Sequence, residues 1–106
     1  MWILQGAADE QPFLFRLRQG AVKTIGRAPG ADLILDAALV SRVHCRLEAS
    51  DNKVRVVDLS STNGTFVNGT RVSAATLTDG DRLTIGRVEL QVTRQAVDEP
   101  DATTTD

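Results

Sequence analysis

The chain has 106 residues, 42% of them hydrophobic, and a formal net charge of −2 at pH 7. This length suits one domain with its own core; no apolar run approaches the roughly eighteen residues of a membrane span, and we expect no secretory signal. The single cysteine excludes an internal disulfide and a multi-cysteine metal site, and the single histidine excludes a histidine-rich one. The 12 basic residues are too few, against 14 acidic ones, for a nucleic-acid binder.

Most of the chain reads as short strands separated by turns. Phe13, Phe15 and Leu17 occupy alternate positions, which is the period-two pattern of a half-buried strand. The Asn-Gly pairs at 63–64 and 68–69 are strong turn signals, because both residue types tolerate positive φ. In chain order we predict strands over 2–5 (at a sheet edge), 13–17, 21–25, 33–35, 42–48, 53–59, 65–67, 82–85 and 89–92.

The pattern predicts an all-β sandwich, because many short strands with frequent turns suit that architecture and no segment makes a convincing amphipathic helix. Val43, Cys45 and Leu47 occupy alternate positions of one predicted strand, so Cys45 is expected to be a buried thiol that behaves as a small hydrophobic residue. We predict a folded domain over 1–95. Residues 96–106 are acidic and rich in threonine, which is typical of a flexible tail or the start of a linker.

Three polar segments lie where predicted strands meet turns. They are Gly26-Arg27, the Ser-Arg-Val-His run at 41–44, and the Ser-Ser-Thr-Asn-Gly-Thr-Phe-Val-Asn-Gly run at 60–69. At one end of a sandwich they would bring an arginine, a serine and a threonine-asparagine pair together. Such a group can receive an oxyanion but contains no catalytic nucleophile.

The combination of Gly-Arg, Ser-Arg-x-His and Asn-Gly-Thr-x-Val-Asn-Gly, in that order, closely resembles forkhead-associated (FHA) domains, which read phosphothreonine in partner proteins. The resemblance spans roughly Trp2 to Val92. It implies an FHA-type β-sandwich of two antiparallel sheets with about eleven short strands and ligand loops at one end. It further implies a non-catalytic, phosphothreonine-dependent protein–protein interaction module without a cofactor or metal. We expect this module to be a cytoplasmic monomer that binds neither nucleic acid nor membrane.

The resemblance also implies roles for individual residues. Arg27 is the phosphate-binding arginine, since a guanidinium can hold two phosphate oxygens at once. Ser41 and Thr62 are hydroxyl donors to the phosphate, and Arg42 is either an additional phosphate contact or a solvent-exposed side chain. Asn63 binds the main chain of the ligand, because an amide both donates and accepts hydrogen bonds.

Five further residues are expected to support the site without contacting the ligand. His44 is interpreted as structural, since nothing beside it supplies a nucleophile or a substrate proton for a general base. The other four are expected to shape the turns and close approaches of the binding loops: Gly26, Gly64, Asn68 and Gly69.

Two other functional classes are alternatives to this interpretation. A phosphate-independent scaffold on the same fold would not need the complete set of phosphate-binding side chains, and an enzyme would need a nucleophile, metal cluster or catalytic pair. The tail adds a hypothesis, because Thr103, Thr104 or Thr105 could dock on the domain itself or a neighbouring copy if phosphorylated. The alternative for the tail is an inert linker.

Overall fold

The structure is a computed structural model that describes residues 1–8 and 10–95. This part of the chain contains eleven β-strands and no helix. In chain order the strands are β1 Trp2–Ala8, β2 Gln11–Leu17, β3 Val22–Gly26, β4 Leu33–Ile34, β5 Cys45–Ala49, β6 Val54–Asp58, β7 Thr65–Val67, β8 Thr70–Val72, β9 Ala74–Leu77, β10 Arg82–Ile85 and β11 Val88–Arg94. The predicted tail, with its three threonines, lies outside the described residues.

The described strands form two sheets that pack face to face. One has the order β2-β1-β11-β10-β7-β8 and the other the order β4-β3-β5-β6-β9. The predicted all-β sandwich of about eleven short strands is therefore confirmed. Pairing between described strands is antiparallel throughout, except that the two-residue strand β4 runs parallel to β3. No helix in the described part of the chain is long and apolar enough to cross a membrane.

Alternating side chains of both sheets build the core between them. Trp2 and Leu4 of β1 face inward with the alternate residues of β11, and Cys45 and Leu47 of β5 face them from the other sheet. Fully burying one large apolar side chain contributes about 1.5–3 kcal/mol. Cys45 is buried as predicted, and burial raises the pKa of its thiol to about 12, so it packs as an unreactive apolar group.

Three sequence expectations are corrected by the structure. The strand predicted over 2–5 is not at an edge, since β1 lies between β2 and β11. The strand predicted over 42–48 begins only at Cys45, and Val43 is 50% exposed. The reason is that the carbonyls of Ser41 and Arg42 accept hydrogen bonds from the loop after β3. The third correction is that β8 and β9 were missed, because only Ser73 separates these two very short strands.

The loops over 27–32, 35–44 and 59–64 all emerge at the same end of the sandwich, which is termed the loop end. The backbone N–H of Arg27 donates to the carbonyl of Ser41 at 2.9 Å, and that of Ala28 donates to the carbonyl of Arg42 at 3.0 Å. The N–H of Leu59 donates to the carbonyl of His44 at 3.0 Å. These bonds hold the three loops against one another, so the polar segments of the sequence meet in space.

Candidate functional site

An open depression of about 510 Å³ lies at the loop end. Its lining combines the loop from Asp36 to Val40 with four predicted ligand contacts, namely Arg27, Ser41, Thr62 and Asn63. Arg42, the fifth predicted contact, is exposed but does not line the depression. The sequence therefore identified the polar rim of this site, and the loop from Asp36 to Val40 forms its other wall.

Arg27 is exposed and held in one orientation at the rim. Its Nε donates to the carbonyl of Val40 at 3.1 Å. This bond occupies one nitrogen of the guanidinium and leaves both terminal nitrogens available to a ligand. A guanidinium fixed in this way suits bidentate binding of a planar or tetrahedral oxyanion.

The hydroxyl of Ser41 joins two loops and still has a proton to donate. Its Oγ accepts a hydrogen bond from the backbone N–H of Thr62 at 2.9 Å. Because a hydroxyl can accept and donate at once, the Ser41 O–H can point into the depression. The side chain of Thr62 is exposed beside it. The pair thus offers two hydroxyl donors in the depression that Arg27 also lines.

Asn63 spans the depression in the structure. Its Nδ2 donates to the carbonyl of Leu39 at 3.2 Å. Leu39 is 43% exposed and has φ +73°, a region that bulky side chains rarely occupy. Gly86 packs closely against this residue, since a Cβ at Gly86 would lie 3.0 Å from the carbonyl carbon of Leu39. The amide of Asn63 therefore braces the opposite wall, and its side-chain oxygen accepts no hydrogen bond from the described residues.

His44 is fully buried and links two of the loops. The backbone N–H of Ser41 donates to Nδ1 at 3.0 Å, so Nδ1 must be the unprotonated nitrogen. Nε2 then carries the proton and donates to the carbonyl of Gly64 at 2.9 Å. The ring is a neutral imidazole with both nitrogens engaged, which supports a structural role and leaves neither nitrogen for proton transfer.

Two of the predicted supporting glycines occupy positions with no room for a side chain. A Cβ on Gly26 would overlap the carbonyl oxygen of Arg42 and lie 2.8 Å from its carbonyl carbon. Gly64 has φ +94°, and the side chain of Arg71 fills the space where a Cβ would project. Both glycines therefore allow the close packing of neighbouring segments beside Arg27 and Asn63.

Asn68 and Gly69 shape a turn, as expected, but the structure places this turn at the opposite end of β7 from the depression. Asn68 Oδ1 accepts from the backbone N–H of Arg82 at 2.9 Å, and its Nδ2 donates to Asp81 at 3.1 Å. Gly69 completes the same β7–β8 turn with φ +85°. These residues stabilise the turn before β10. They do not support the depression, because the intervening strand carries the chain about 10 Å away from it.

A carboxylate that the sequence analysis did not single out shapes the loop over 59–64. Asp58 accepts hydrogen bonds from the hydroxyls of Ser61 and Thr65 and from the N–H of Ser61. The Ser61 Oγ in turn accepts from the N–H of Gly64 at 3.0 Å. The available signal was an aspartate at the end of a strand before a serine-rich turn, since aspartate side chains commonly accept hydrogen bonds from nearby backbone N–H groups in turns. Asp58 thereby fixes the turn that carries Thr62 and Asn63.

These contacts make the loop sensitive to acid. Burial tends to raise the pKa of the Asp58 carboxyl, but the hydrogen bonds from Ser61 and Thr65 outweigh it and lower that pKa below the ordinary value of 3.8. Because the folded protein then binds fewer protons than the unfolded chain, acidification through and below about pH 4 lowers the free energy of unfolding.

We expect Asp58→Asn to lower the free energy of unfolding at pH 7 by about 1–2 kcal/mol and to reduce its acid dependence. Chemical denaturation at several pH values measures both effects. Asp81→Asn is the matched control, since hydrogen bonds to Thr78 and Asn68 lower the pKa of Asp81 in a distant turn. Both variants should lose acid dependence, but only Asp58→Asn should also disturb the loop end. Unchanged acid dependence in Asp58→Asn would contradict this role.

In the described residues no cluster of three or more histidine, cysteine, aspartate or glutamate side chains is arranged to hold a metal ion. A second depression, of about 430 Å³, lies at the opposite end of the sandwich and includes Asp51 and Arg94 in its lining. These two residues form an ion pair with each other at 3.3 Å. The loop-end depression is therefore the better candidate for an anion site, because its arginine retains free donors.

The chain is similar in sequence to a known family and to individual proteins. The family model described as "FHA domain" matches residues 23–86. The ABC transporter ATP-binding/permease protein of Mycobacterium tuberculosis is 47% identical over 74 residues, which cover 70% of this chain and 8% of that protein. The glycogen accumulation regulator GarA of M. tuberculosis is 41% identical over 70 residues, which cover 66% of this chain and 43% of GarA. The chain thus spans less than half the length of these relatives.

Solved structures share the whole architecture. One, from a structural and functional study of phosphothreonine-dependent FHA domain interactions, has a TM-score of 0.81 and 33% sequence identity. The alignment covers 91% of this chain and 98% of that one. The match therefore extends over most of this chain and nearly all of the other.

Proposed function

The chain belongs to the FHA domain family, and we propose that it binds phosphothreonine-containing segments of partner proteins through Arg27, Ser41, Thr62 and Asn63. Members of this family are interaction modules that recognise phosphorylated partners, and they do so through positively charged arginine sites that pair with the phosphate. The observation that carries the assignment of residues is that all four side chains line one depression.

The chemistry of the rim suits a phosphate dianion. Phosphothreonine carries about −1.5 to −2 charges and three strong acceptor oxygens. The terminal nitrogens of Arg27 and the hydroxyls of Ser41 and Thr62 supply donors for these oxygens. An unphosphorylated threonine would leave the same donors to water, so phosphorylation itself is the switch. Asn63 is proposed to exchange its contact with Leu39 for one with the ligand's main chain.

Fewer observations support Arg42 as an additional phosphate contact, because it does not line the depression. Its side chain is exposed beside Ser41, but only its backbone takes part in holding the loops. We retain it as a proposed contact that forms when the ligand is bound. His44, Gly26 and Gly64 are proposed as supports of the site for the packing reasons given above.

The remaining proposals concern the setting of the domain. We propose that 1–95 is the binding domain, that 96–106 is a tail or linker, and that the domain acts as a non-catalytic monomer in the cytoplasm, where protein kinases can phosphorylate its partners. Docking of phosphorylated Thr103, Thr104 or Thr105 on the same depression is the proposed form of self-regulation.

We expect Ser41→Ala to weaken binding of a phosphothreonine peptide about tenfold, because it removes one donor to a charged group and one loop contact. Isothermal titration of phosphorylated and unphosphorylated forms of one peptide measures the effect. Ser50→Ala, in a turn at the opposite end of β5, is the matched control and should bind like the unaltered protein. Equal affinity for the two peptide forms in the folded, unaltered protein would refute the proposed function.

A further inference from the structure

We propose that Arg71 is a specificity-determining residue that selects phosphopeptides with a second anionic group near the phosphothreonine. The group is either a carboxylate or a second phosphate, which share the chemistry that a guanidinium recognises. The inference rests on the proposed function and names the class of ligand that the same site prefers.

The Arg71 side chain lies directly against the loop that carries Asn63. Arg71 belongs to β8, at the edge of its sheet, and is paired with Phe66. A Cβ at Gly64 would lie 2.7 Å from Arg71 Nε and 3.0 Å from Cζ, so the guanidinium occupies the space that this glycine leaves open. Gly64 follows Asn63 in the chain and is itself fixed by His44. The charge of Arg71 is thus placed against the residue that follows Asn63, the proposed contact for the ligand's main chain.

The charge of Arg71 is also uncommitted. Its side chain is exposed, and within the described residues it forms neither a hydrogen bond nor an ion pair. Arg46, Arg82 and Arg94, by contrast, each contact a carboxylate. Packing against Gly64 restricts the side chain before a ligand arrives, which reduces the entropy lost when an ion pair forms.

The position of Arg71 limits where on the peptide the second group can lie. Arg71 contacts Gly64, which follows Asn63, so its charge lies on one flank of the depression. The anionic group is therefore expected on one side of the phosphothreonine and close to it in the peptide. Asp36 lines the depression itself and disfavours further negative charge elsewhere along its wall. The preference should consequently depend on position and not on the total charge of the peptide.

The test is an aspartate scan of a phosphothreonine peptide whose neighbours are otherwise alanine, covering three positions on each side. We expect aspartate at one or two positions to raise affinity about two- to fivefold, the range of an exposed ion pair, and phosphoserine there to raise it about tenfold. Arg71→Gln should bring the ratio between the aspartate and alanine peptides to about one, and Arg71→Lys should retain part of it. Comparing this ratio between the variants and the unaltered protein separates recognition from structural support. Loss of a merely structural role would lower the affinities for the aspartate and alanine peptides alike and leave their ratio unchanged.

Arg87→Gln is the matched control. Arg87 is an exposed arginine in the β10–β11 turn, next to Gly86, which packs against Leu39 at the loop end. Its loss changes the net charge equally but should leave the positional preference intact. Phosphate-dependent binding with no preferred aspartate position, or a preference that survives Arg71→Gln, would overturn the inference while leaving the proposed function standing. Absence of phosphate-dependent binding to any peptide would overturn both.

Discussion

Arg27→Ala is expected to weaken binding of a phosphothreonine peptide by tens of fold or more. Hydrogen bonds to charged groups contribute about 1.5–3 kcal/mol each, and the two terminal nitrogens of this guanidinium are both free to reach phosphate oxygens. The loss removes the only cation that lines the depression among the described residues. Fold stability should change little, because Arg27 is exposed and its side chain makes a single hydrogen bond to Val40.

Titration calorimetry with one phosphothreonine peptide measures this loss, and circular dichroism verifies that the variant is folded. Arg55→Ala is the matched control, since Arg55 is exposed on β6, away from the loop end. Arg27→Lys should retain only part of the affinity of the unaltered protein, because an ammonium keeps the charge but cannot form the bidentate hydrogen bonds of a guanidinium. Near-equal affinity of Arg27→Ala and the unaltered protein would show that the phosphate is bound elsewhere.

His44→Ala is expected to damage stability and binding together. The substitution leaves the N–H of Ser41 and the carbonyl of Gly64 without their buried partner and opens a cavity in the support of two loops. Unpaired buried groups cost about 1–3 kcal/mol each, so we expect a loss of about 3 kcal/mol, a large share of the roughly 5–15 kcal/mol typical of a domain. Ser41 and Thr62 would then lose their fixed separation, which weakens phosphate binding.

Urea denaturation and peptide titration, both below the unfolding temperature, separate the two effects. Cys45→Ala is the matched control, because Cys45 is the next residue, is equally buried and takes part in packing alone. It should lower stability without changing the affinity of the folded protein. If His44→Ala behaved in the same way, the proposed link between the imidazole and the binding loops would be wrong.

Local patterns were sufficient to predict most of the fold. Alternation in β2, the apolar runs of β3 and β6 and the Asn-Gly turn before β7 each carry a signal within a few residues. β8 and β9 carry none, since three or four residues cannot display a period and only pairing with β7 and β6 makes them strands. The start of β5 was misplaced for a similar reason, because its first predicted residues are drawn to the loop after β3 by long-range hydrogen bonds.

In the candidate site, too, the residues that a local motif identifies were predicted, and those that depend on the fold were not. Arg27, Ser41, Thr62 and Asn63 were found because the motif gives their order and residue types, and the structure brings them together. Asn68 was misassigned because nearness in sequence to Asn63 does not survive an intervening extended strand.

The remaining parts of the site required the fold itself. The roles of Asp58 and Arg71 depend on contacts with Thr65 and Gly64, which lie seven residues away in each case. No short sequence window shows which side chains such residues meet after folding. Supporting residues of this kind are therefore visible only once the strands are paired.

The most direct test of the central proposal is an NMR titration of the ¹⁵N-labelled protein with one peptide in its phosphothreonine and threonine forms. We expect the phosphorylated peptide to shift the amide resonances of Arg27, Ser41, Thr62 and Asn63, and the unphosphorylated form to leave them unchanged. The turn at 78–82, at the opposite end, should be unaffected by either. Shifts that are equal for both peptides, or that centre on the opposite end, would contradict the proposed phosphothreonine site.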